Sequence, residues 1–371
     1  MALLHYDLLI IGSGIVGLAH ALGAQQRGLK VAVCDRHAAP VGASIRNFGF
    51  ITVTGQSADQ TWERARRSRD IWAELAPRAG IDIVHRGLLV TAQRPEAMTV
   101  LEAFRVHPMG VDCRILTPNE VRDTYAGLTG EALCGALYSP HELRVHSPTA
   151  ISRLIDWLKS QGVTFHFETA VTAIDPPYIS TARGDICAES IVVCPGDDLN
   201  TLYPDVYDRH GVTLSKLHMM RLASPGFRLP CALMSDLSLI RYRGYAERPE
   251  SAALKHRLER ECPNALRHGV HLIVVQDADG ALVVGDSHHY ARTPDPFYNQ
   301  RIEALILEEF TRVCGFPAPS VIERWLGTYP SADNDMFCEA PHPRVRLVSV
   351  TSGTGASTAF AIAEDTLKSL F

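Results

Sequence analysis

The 371-residue chain lacks several features that would define its class at once. It has no apolar run of the roughly 18 or more residues that a membrane span needs. It has no basic excess, because 36 Lys and Arg stand against 41 Asp and Glu. A nucleic-acid-binding protein needs a basic face against phosphates, so the net charge of −5 argues against that partner. Asp7 interrupts the apolar N-terminus and no cationic leader precedes it, so we expect no secretory signal.

The nine cysteines include no C-x-x-C pair. Scattered cysteines in odd number are typical of reduced thiols, and we therefore expect a cytoplasmic protein without a disulfide framework. The apolar content of 46% and the charged content of 21% are ordinary for a globular protein. The length allows two domains.

The chain does contain a G-x-G-x-x-G turn at its start. A short apolar strand, residues 6–11, enters Gly12, Gly14 and Gly17, and an apolar-periodic helix follows. In a dinucleotide site such glycines allow the tight turn, the approach of backbone to a pyrophosphate, and close packing of helix on strand. The free N–H groups of the helix would face the phosphates.

An acidic residue stands where a ribose would be bound. A second strand, residues 30–34, ends at Asp35, about 20 residues beyond the glycines. Its carboxylate would accept hydrogen bonds from the adenosine ribose. The agreement of strand, turn, helix, strand and carboxylate predicts a nucleotide-binding unit, but the motif alone does not choose between NAD and FAD.

The middle of the chain has a different pattern from its two ends. Strand candidates occur at residues 217–222, 239–242, 271–276 and 281–285, and the last two are joined by a hairpin signal, residues 277–280. These segments favour antiparallel strands in a second domain. No internal repeat or long low-complexity linker interrupts the chain.

Two further segments complete a familiar set. One is the strand ending Val192–Gly196; the other is a C-terminal strand followed by the glycine turn of residues 351–358 and an apolar helix. With the first glycine turn, they resemble the FAD-dependent D-amino-acid oxidase family, which includes glycine oxidase and monomeric sarcosine oxidase. The resemblance implies an α/β fold, with a Rossmann-like FAD-binding domain and an antiparallel-sheet substrate domain. The FAD-binding domain would comprise residues 1–85, 145–215 and 326–371, and the substrate domain residues 86–144 and 216–325.

A narrower resemblance concerns the substrate. The stretches Gly42–Phe50 and Gly285–Tyr290 look like a subgroup linked with phosphonate breakdown. This implies oxidation of a small primary or secondary amine with an anionic group, by hydride transfer to flavin N5 and imine hydrolysis. An aminophosphonate related to 2-aminoethylphosphonate would be the substrate. The alternatives are a glycine, sarcosine or D-amino-acid oxidase, a flavin dehydrogenase using an acceptor other than oxygen, and a flavoprotein whose FAD is structural.

The resemblance also implies which residues hold FAD. The glycines would line the pyrophosphate, Asp35 would hold the ribose where the family more often has Glu, and the C-terminal turn would present N–H groups to the flavin pyrimidine ring. Gly327 stands where sarcosine oxidase-like members carry the cysteine that tethers FAD, so we expect non-covalent FAD. The full set of expected cofactor contacts is Gly12, Ser13, Gly14, Ile15, Val16, Gly17, Asp35, Arg36, Ser44, Arg46, Asn47, Val171, Gly196, Gly327, Gly353, Thr354, Gly355, Ala356, Ser357 and Thr358.

Candidates for the substrate's anionic end are arginines, since a guanidinium makes paired bonds to a carboxylate or phosphonate. Arg46 is the first choice, because its loop should touch the flavin edge. Arg241 and Arg243 alternate along an expected strand and would point the same way. A surface or FAD-phosphate role is open for Arg46, and a solvent-facing role for Arg241 and Arg243.

Histidines and one amide complete the candidate list. His288 ends an expected strand and could bind the anion or steer the amine, and Asn47 could fix polar atoms of flavin or substrate. His218 is a weaker candidate for the same pocket. No carboxylate or cysteine has ligand spacing around the His288–His289 pair, so we expect no metal. If the amine arrives neutral, no strong base is needed, and the sequence indicates no acid–base pair.

Overall fold

A computed structural model of the protein describes residues 4–125, 128, 130 and 132–371. Residues 1–3 of the expected FAD-binding segment and residues 126, 127, 129 and 131 of the expected substrate segment lie outside this description.

Strands occur along the whole described chain and form two sheets. In chain order they are β1 (Leu4–Ile11), β2 (Val31–Cys34), β3 (Phe50–Ile51), β4 (Ile83–Ala92), β5 (Arg114–Leu116), β6 (Gly135–Val145), β7 (Thr164–His166), β8 (Val171–Asp175), β9 (Tyr178–Thr181), β10 (Ile186–Val193), β11 (Thr213–Leu222), β12 (Ala232–Met234), β13 (Ile273–Gln276), β14 (Leu282–Gly285), β15 (His289–Ala291), β16 (Val321–Ser331), β17 (Met336–His342) and β18 (Val345–Val350).

Helices cover the sheets and fill their connections. They are α1 (Ile15–Gln25), α2 (Gln60–Arg78), α3 (Pro95–Val106), α4 (Pro118–Thr124), α5 (Ser147–Ser160), α6 (Pro204–Arg209), α7 (Arg243–Ala246), α8 (Ser251–Glu261), α9 (Pro263–Arg267), α10 (Gln300–Cys314) and α11 (Gly355–Lys368), with short 3-10 turns at Pro108–Gly110 and Asp236–Ile240.

The first sheet is eight-stranded, with the order β17-β18-β10-β1-β2-β7, and β8 and β9 extend it beside β10. Strands β18, β10, β1, β2 and β7 are parallel. Alternate residues of β1 enter two different cores: Leu8 and Ile10 pack with α1, α2, α5 and α11, whereas Leu9 and Ile11 pack on the opposite face. A parallel sheet with both faces covered explains why its strands read as continuous apolar runs.

The second sheet is ten-stranded, with the order β15-β11-β14-β13-β12-β4-β6-β3; β16 also pairs with β11, and β5 with β6. Its pairings are antiparallel except for β12 with β4. Its two faces likewise carry separate apolar cores, one with Leu88 and Val90 and the other with Leu89 and Leu233.

One expected strand is wrong. Residues 239–242 form the end of a 3-10 turn and the approach to α7 instead. Leu239, the first residue of that run, is fully buried with Leu237 in the core beneath the second sheet, and Ile240 and Tyr242 pack against the same core. Tertiary burial therefore explains this run without strand pairing, and the alternation expected for Arg241 and Arg243 does not exist.

Several strands cross the residue numbers at which we placed domain boundaries. β4 begins before residue 86, β11 before residue 216, and β16 continues beyond residue 326 to Ser331 while pairing with β11 of the second sheet. The domain division stays a prediction. Within the described ranges, no helix is long and apolar enough to cross a membrane.

Candidate active site between the two sheets

A cavity with a volume of ≈ 670 Å³ lies at the carboxyl ends of the parallel strands and reaches the second sheet. Gly12 follows β1, Asp35 follows β2, Gly196 follows β10 and Ser352 follows β18, and all four line it. Ligands of open α/β sheets bind outside the carboxyl ends of such strands. The volume is typical of a pocket for a small molecule or cofactor.

The first glycine turn leaves no space for side chains. Gly12 has a φ of 104°, and a Cβ there would lie 2.1 Å from the Cys194 carbonyl oxygen. A Cβ on Gly17 would lie 1.9 Å from the Gly12 carbonyl oxygen, so α1 packs directly on the turn. Gly14 is the N-cap of α1, and its residue type supplies no capping side chain. Backbone N–H groups at this end are therefore presented to the cavity, as a pyrophosphate requires.

Asp35 is held in place by the same turn. One carboxylate oxygen accepts hydrogen bonds from the Ser13 backbone N–H, at 2.9 Å, and from its hydroxyl, at 2.6 Å. The other accepts from the His37 backbone N–H at 2.9 Å. Ser13 itself is fully buried and acts on the cavity through Asp35.

The second helix that starts at the cavity is α11. Its N-cap residue, Thr354, makes no side-chain cap. The first turn of this helix is fixed from both sides, because the Trp72 indole N–H donates to the Ala356 carbonyl at 2.8 Å and the Thr52 backbone N–H donates to the Ser357 hydroxyl at 2.9 Å. The positive end of a second helix dipole thus points at the same space.

Nearly all of the expected cofactor contacts meet in this cavity. Ser13 and Thr358 do not line it: Ser13 supports Asp35, and the Thr358 hydroxyl donates to the Thr354 carbonyl at 3.0 Å. The residues that do line it are Gly12, Gly14, Ile15, Val16, Gly17, Asp35, Arg36, Ser44, Arg46, Asn47, Val171, Gly196, Gly327, Gly353, Thr354, Gly355, Ala356 and Ser357.

The loop carrying Arg46 and Asn47 is tied to the first helix and to the second sheet. The Ile15 backbone N–H donates to the Ser44 hydroxyl at 2.9 Å. The Asn47 amide donates to the Ala43 carbonyl at 2.8 Å, and its oxygen accepts from the Gly49 N–H at 2.6 Å. Both ends of the Asn47 side chain are thus used to hold the loop. Arg46 is exposed at the cavity wall.

The structure separates the two arginines that the sequence placed together. Arg243 is exposed and pairs with Glu247 at 2.7 Å and with Asp335 at 3.4 Å. The Arg241 guanidinium donates only to the Tyr290 hydroxyl, at 3.2 and 3.3 Å, and forms no ion pair within the described part of the chain. Arg241 therefore brings a largely uncommitted positive charge to the cavity.

His288 lines the cavity and lies in a group that sequence reasoning missed. His271 and Asp286 also line it, with 2.9 Å between the His271 Nε2 and the Asp286 Oδ1 atoms. The His288 Nδ1 atom is 3.8 Å from the same carboxylate oxygen. The expectation that no carboxylate has ligand spacing around the His288–His289 pair is thus wrong, since one candidate ligand atom from each of His271, Asp286 and His288 lies within 4.8 Å of the others. A carboxylate and two imidazoles, which the sequence did not bring together, thus lie side by side in the cavity.

Tyrosines were also missed at this end of the cavity. Tyr242, Tyr290 and Tyr329 line it beside Arg241. Burial raises the pKa of Tyr329 to about 12, so its hydroxyl stays a hydrogen-bond donor at neutral pH. The alternation of β16 gave a weak signal for Tyr329, but nothing in the sequence linked these rings to Arg241.

His218 does not line the cavity. It is fully buried, with Nδ1 2.9 Å from the Ser287 hydroxyl and Nε2 accepting from the Asn299 backbone N–H at 3.1 Å. Burial lowers its pKa to about 4, so the ring is neutral at pH 7. Its role is to join β11 to the segment before α10.

The fold and cavity define a protein with a dinucleotide-type site at a parallel sheet, closed by a second, mainly antiparallel sheet. The chain belongs to the family of FAD-dependent oxidoreductases, whose family match extends over residues 7–368. FAD as the cofactor and the two-part α/β fold are thereby confirmed.

Individual relatives are distant. A glycine oxidase from Geobacillus kaustophilus is 27% identical over 205 residues, covering 52% of this chain and 54% of that protein. A monomeric sarcosine oxidase from Bacillus sp. is 24% identical over 202 residues, covering 52% of this chain and 51% of that protein. The chain thus matches about half the length of these curated relatives. A crystal structure of glycine oxidase from Bacillus cereus has a TM-score of 0.79 at 19% identity, covering 98% of this chain and 97% of that one, which shows a shared fold.

The residues present fit FAD. The N-cap residues of two helices, Gly14 and Thr354, make no side-chain cap and line one cavity, and Gly14 has little room for a side chain because a Cβ there would lie 3.0 Å from the Ser44 hydroxyl. Asp35 stands at the end of β2, where a ribose is bound in such folds.

Proposed function

We propose that the protein oxidises a small primary or secondary amine that carries an anionic group, with the aminophosphonates related to 2-aminoethylphosphonate as the first candidates. Bound FAD would supply the redox chemistry by accepting a hydride at N5. The resulting imine hydrolyses in water. Among alternatives, glycine, sarcosine and D-amino acids have the same two ends, an amine and an anion.

The observation that carries this proposal is the position of Arg241 in the cavity without an ion-pair partner in the described chain. Its guanidinium lies in the cavity, without a carboxylate partner in the described chain, and next to two tyrosine hydroxyls, those of Tyr290 and Tyr329. Arg241 is half-buried, and the Asp286 charge in the same cavity helps to keep its pKa raised without forming an ion pair with it, so the guanidinium stays cationic and would be stabilised by an anionic ligand. Each charge-assisted hydrogen bond contributes about 1.5–3 kcal/mol.

The phosphonate proposal has its own support in the number of donors. Arg241, Tyr290 and Tyr329 offer several N–H and O–H groups around one region of the cavity. A phosphonate has three oxygens to accept them, one more than a carboxylate. The two resembling stretches, Gly42–Phe50 and Gly285–Tyr290, also contribute residues to the lining.

The chain's own residues would bind and orient the two reactants. The glycine turns, Asp35 and the start of α11 would hold the cofactor, and Arg241 would fix the substrate's anionic end. Fixing one end aligns the C–H bond next to the amine and lowers the entropic cost of reaction. Apolar residues such as Leu217 and Met219 line the same cavity and limit water.

Anaerobic mixing followed by air tests the proposal. The holoenzyme is mixed with glycine, sarcosine, D-alanine, 2-aminoethylphosphonate and its N-methyl and 1-hydroxy forms, and the visible flavin absorbance is followed. Bleaching by an aminophosphonate is expected. Rapid return of colour and release of peroxide in air indicate oxygen as the acceptor, and slow return indicates another acceptor. Absorbance that no amine bleaches would contradict the proposal and favour a structural role for FAD.

A further inference from the structure

The cavity contains a buried carboxylate between two imidazoles. His271 precedes β13 and Asp286 follows β14, and these strands pair. The two residues exchange backbone hydrogen bonds, with N···O distances of 3.2 and 2.9 Å, so the main chain holds their side chains side by side. His288 follows two residues later, and its ring stacks on that of His271 with 5.3 Å between centroids.

The carboxylate is not satisfied by its neighbours. Asp286 is 4% exposed. Its Oδ1 atom is 2.9 Å from the His271 Nε2 atom, a close contact that is poorly aligned for a hydrogen bond, and Oδ1 has no other hydrogen-bond partner in the described chain. Burial opposes the charge, yet His288, His271 and Arg241 together lower the Asp286 pKa, so the group is ionised at neutral pH. A buried anion of this kind calls for a cationic ligand with N–H donors.

His288 presents a lone pair to the same space. Its Nδ1 atom is 3.1 Å from the Gly269 carbonyl oxygen, which can only accept, so Nδ1 carries the hydrogen. The Nε2 atom of the neutral ring is then a proton acceptor, and the residue lines the cavity. Burial, with the charge of Arg241, lowers the pKa of His288 well below its usual value, so the ring is neutral at pH 7 and its Nε2 atom is free to accept a proton. The Asp286 carboxylate, 3.8 Å from Nδ1, opposes that shift and would stabilise the imidazolium that protonation forms.

We infer that Asp286 binds the substrate's ammonium group and that His288 Nε2 removes its proton before oxidation, while His271 positions the carboxylate. This inference rests on the proposed amine oxidation and assigns the amine end of that site. In the step, an N–H bond of the ammonium breaks, the proton forms a bond with Nε2, and the electron pair stays on the nitrogen. The neutral amine is then the hydride donor. Arg241 at the anionic end and Asp286 at the ammonium end match a ligand with both charges.

Two other interpretations of the cluster are less consistent with it. The Ser238 hydroxyl is 3.2 Å from the His271 Nδ1 atom, which gives the order serine, histidine, aspartate, but Ser238 is fully buried and does not line the cavity. A substrate cannot reach it as a nucleophile. A divalent metal would face the Arg241 guanidinium in the same cavity, whose charge repels it more strongly than it repels an ammonium ion.

A matched pair of ligands that cannot be oxidised tests the amine site. 2-Amino-2-methylpropanoate has no hydrogen on the carbon next to its amine, and 2-methylpropanoate lacks the amine. Binding of both, and of the corresponding phosphonate pair, is measured from the visible spectrum of the holoenzyme. We expect at least one amine to bind about tenfold more tightly than its amine-free partner. Asp286→Asn should abolish that difference with FAD retained, and Asp295→Asn, an exposed aspartate paired with Lys216, should keep it.

Rapid anaerobic kinetics test the proton acceptor. His288→Gln should lower the rate of flavin bleaching about 100-fold at pH 7. The rate should recover as pH rises toward the pKa of the substrate amine, because the amine then arrives neutral. His289→Gln, the adjacent residue outside the cavity lining, should behave like the wild type.

The outcomes separate this inference from the proposed function. If no amine bleaches the flavin but Asp286→Asn still removes the preference for the amine, the amine site stands and the oxidation falls. If the preference survives in Asp286→Asn, or is absent from the wild type, the inference is overturned.

A loss of rate in His288→Gln that is the same at every pH overturns the proton step. Stoichiometric metal in the purified holoenzyme, removed by Asp286→Asn, overturns the inference in favour of a metal site. If Asp286→Asn does not fold, the ligand pairs are measured on Asp286→Glu, where a retained preference is expected and its loss overturns the assignment.

Discussion

Two arginines that are two positions apart, Arg241 and Arg243, have different surroundings. Arg243 is exposed and neutralised by Glu247 and Asp335, and exposed pairs contribute little to stability. Arg241 lines the cavity, and among the residues that the structure describes its guanidinium has only the Tyr290 hydroxyl as a hydrogen-bond partner. Local burial thus decides which guanidinium can bind an anion, and no spacing in the sequence reports it.

Replacing Arg241 should therefore weaken the binding of anions. For Arg241→Ala we expect 2-methylpropanoate, or its phosphonate counterpart, to bind at least tenfold more weakly, which corresponds to about 1.4 kcal/mol or more. Arg243→Ala should bind them within about twofold of the wild type. Titration of the flavin spectrum measures both. Equal effects of the two substitutions would contradict the assignment of Arg241.

Arg46 is tested by steady-state kinetics. Its Nη1 atom donates to the Leu326 carbonyl at 3.4 Å and its own carbonyl accepts from the Trp325 indole at 2.9 Å. We expect Arg46→Ala to raise KM or lower kcat strongly with FAD retained, because the side chain stands at the cavity wall. Unchanged kinetics would remove Arg46 from the site and leave its backbone as the contact that holds the loop.

At the scale of elements, α1 depends on its close approach to β1. Gly17→Ala would place a Cβ 1.9 Å from the Gly12 carbonyl oxygen, so the helix must move away from the turn. We expect loss of FAD and a lower free energy of unfolding. Gly23→Ala in the same helix meets only the flexible end of Leu367, at 2.9 Å, and Ala is the better helix former. The ratio of flavin to protein absorbance in the purified variants measures the effect, and FAD retained by Gly17→Ala would contradict it.

The same helix makes stability depend on pH. His20 is fully buried, its Nδ1–H donates to the Val16 carbonyl at 2.7 Å, and Nε2 has no hydrogen-bond partner in the described chain. Burial lowers its pKa to about 4, whereas an unfolded histidine has a pKa of about 6.5. Between these values the unfolded chain binds a proton and the folded chain does not, so the free energy of unfolding falls as pH falls.

Urea denaturation of the wild type and His20→Leu at pH 7 and pH 5 measures this contribution. The loss of unfolding free energy due to His20 grows as the pH falls and would reach ~3 kcal/mol at pH 4 relative to pH 7. The leucine variant lacks the titrating group and should lose less stability between the two pH values, whatever its stability at pH 7. An identical loss in both proteins would show that His20 does not contribute to the slope.

The elements also show how far the sequence could be interpreted. The glycine turn of β1 and α1 was predictable because steric and hydrogen-bonding requirements act within a few residues. The region of residues 239–242 was not, because apolar residues under a sheet and apolar residues in a strand have the same pattern over such a short run. His271 and Asp286 were missed because only the pairing of β13 and β14 brings them together. One sequence signal for Asp286 was available: it directly follows the strand that ends at Gly285, and a carboxylate at a strand end is a candidate site residue.

The two sheets are connected by the chain and both contribute residues to the wall of the cavity. β16 pairs with β11 of the second sheet, and the turn after it leads to β17 of the first. The cavity wall takes Gly12 and Gly353 from the first sheet's turns and Met219 and Tyr329 from strands of the second. A ligand that contacts both sheets stabilises the folded molecule as a whole.

FAD should therefore control the stability of the molecule without being attached to it. Gly327 has no side chain to form a bond, and a Cβ there would meet only ordinary neighbours, the Arg46 carbonyl oxygen at 3.6 Å and Leu217 at 3.9 Å. We expect acid precipitation to leave the yellow colour in the supernatant. Free FAD at about 100 times its dissociation constant should raise the stability of the apoprotein by about 2.7 kcal/mol, and so raise its Tm with FAD concentration. Colour retained on the precipitate would contradict non-covalent binding, and a Tm independent of added FAD would show that the cofactor does not hold the two sheets together.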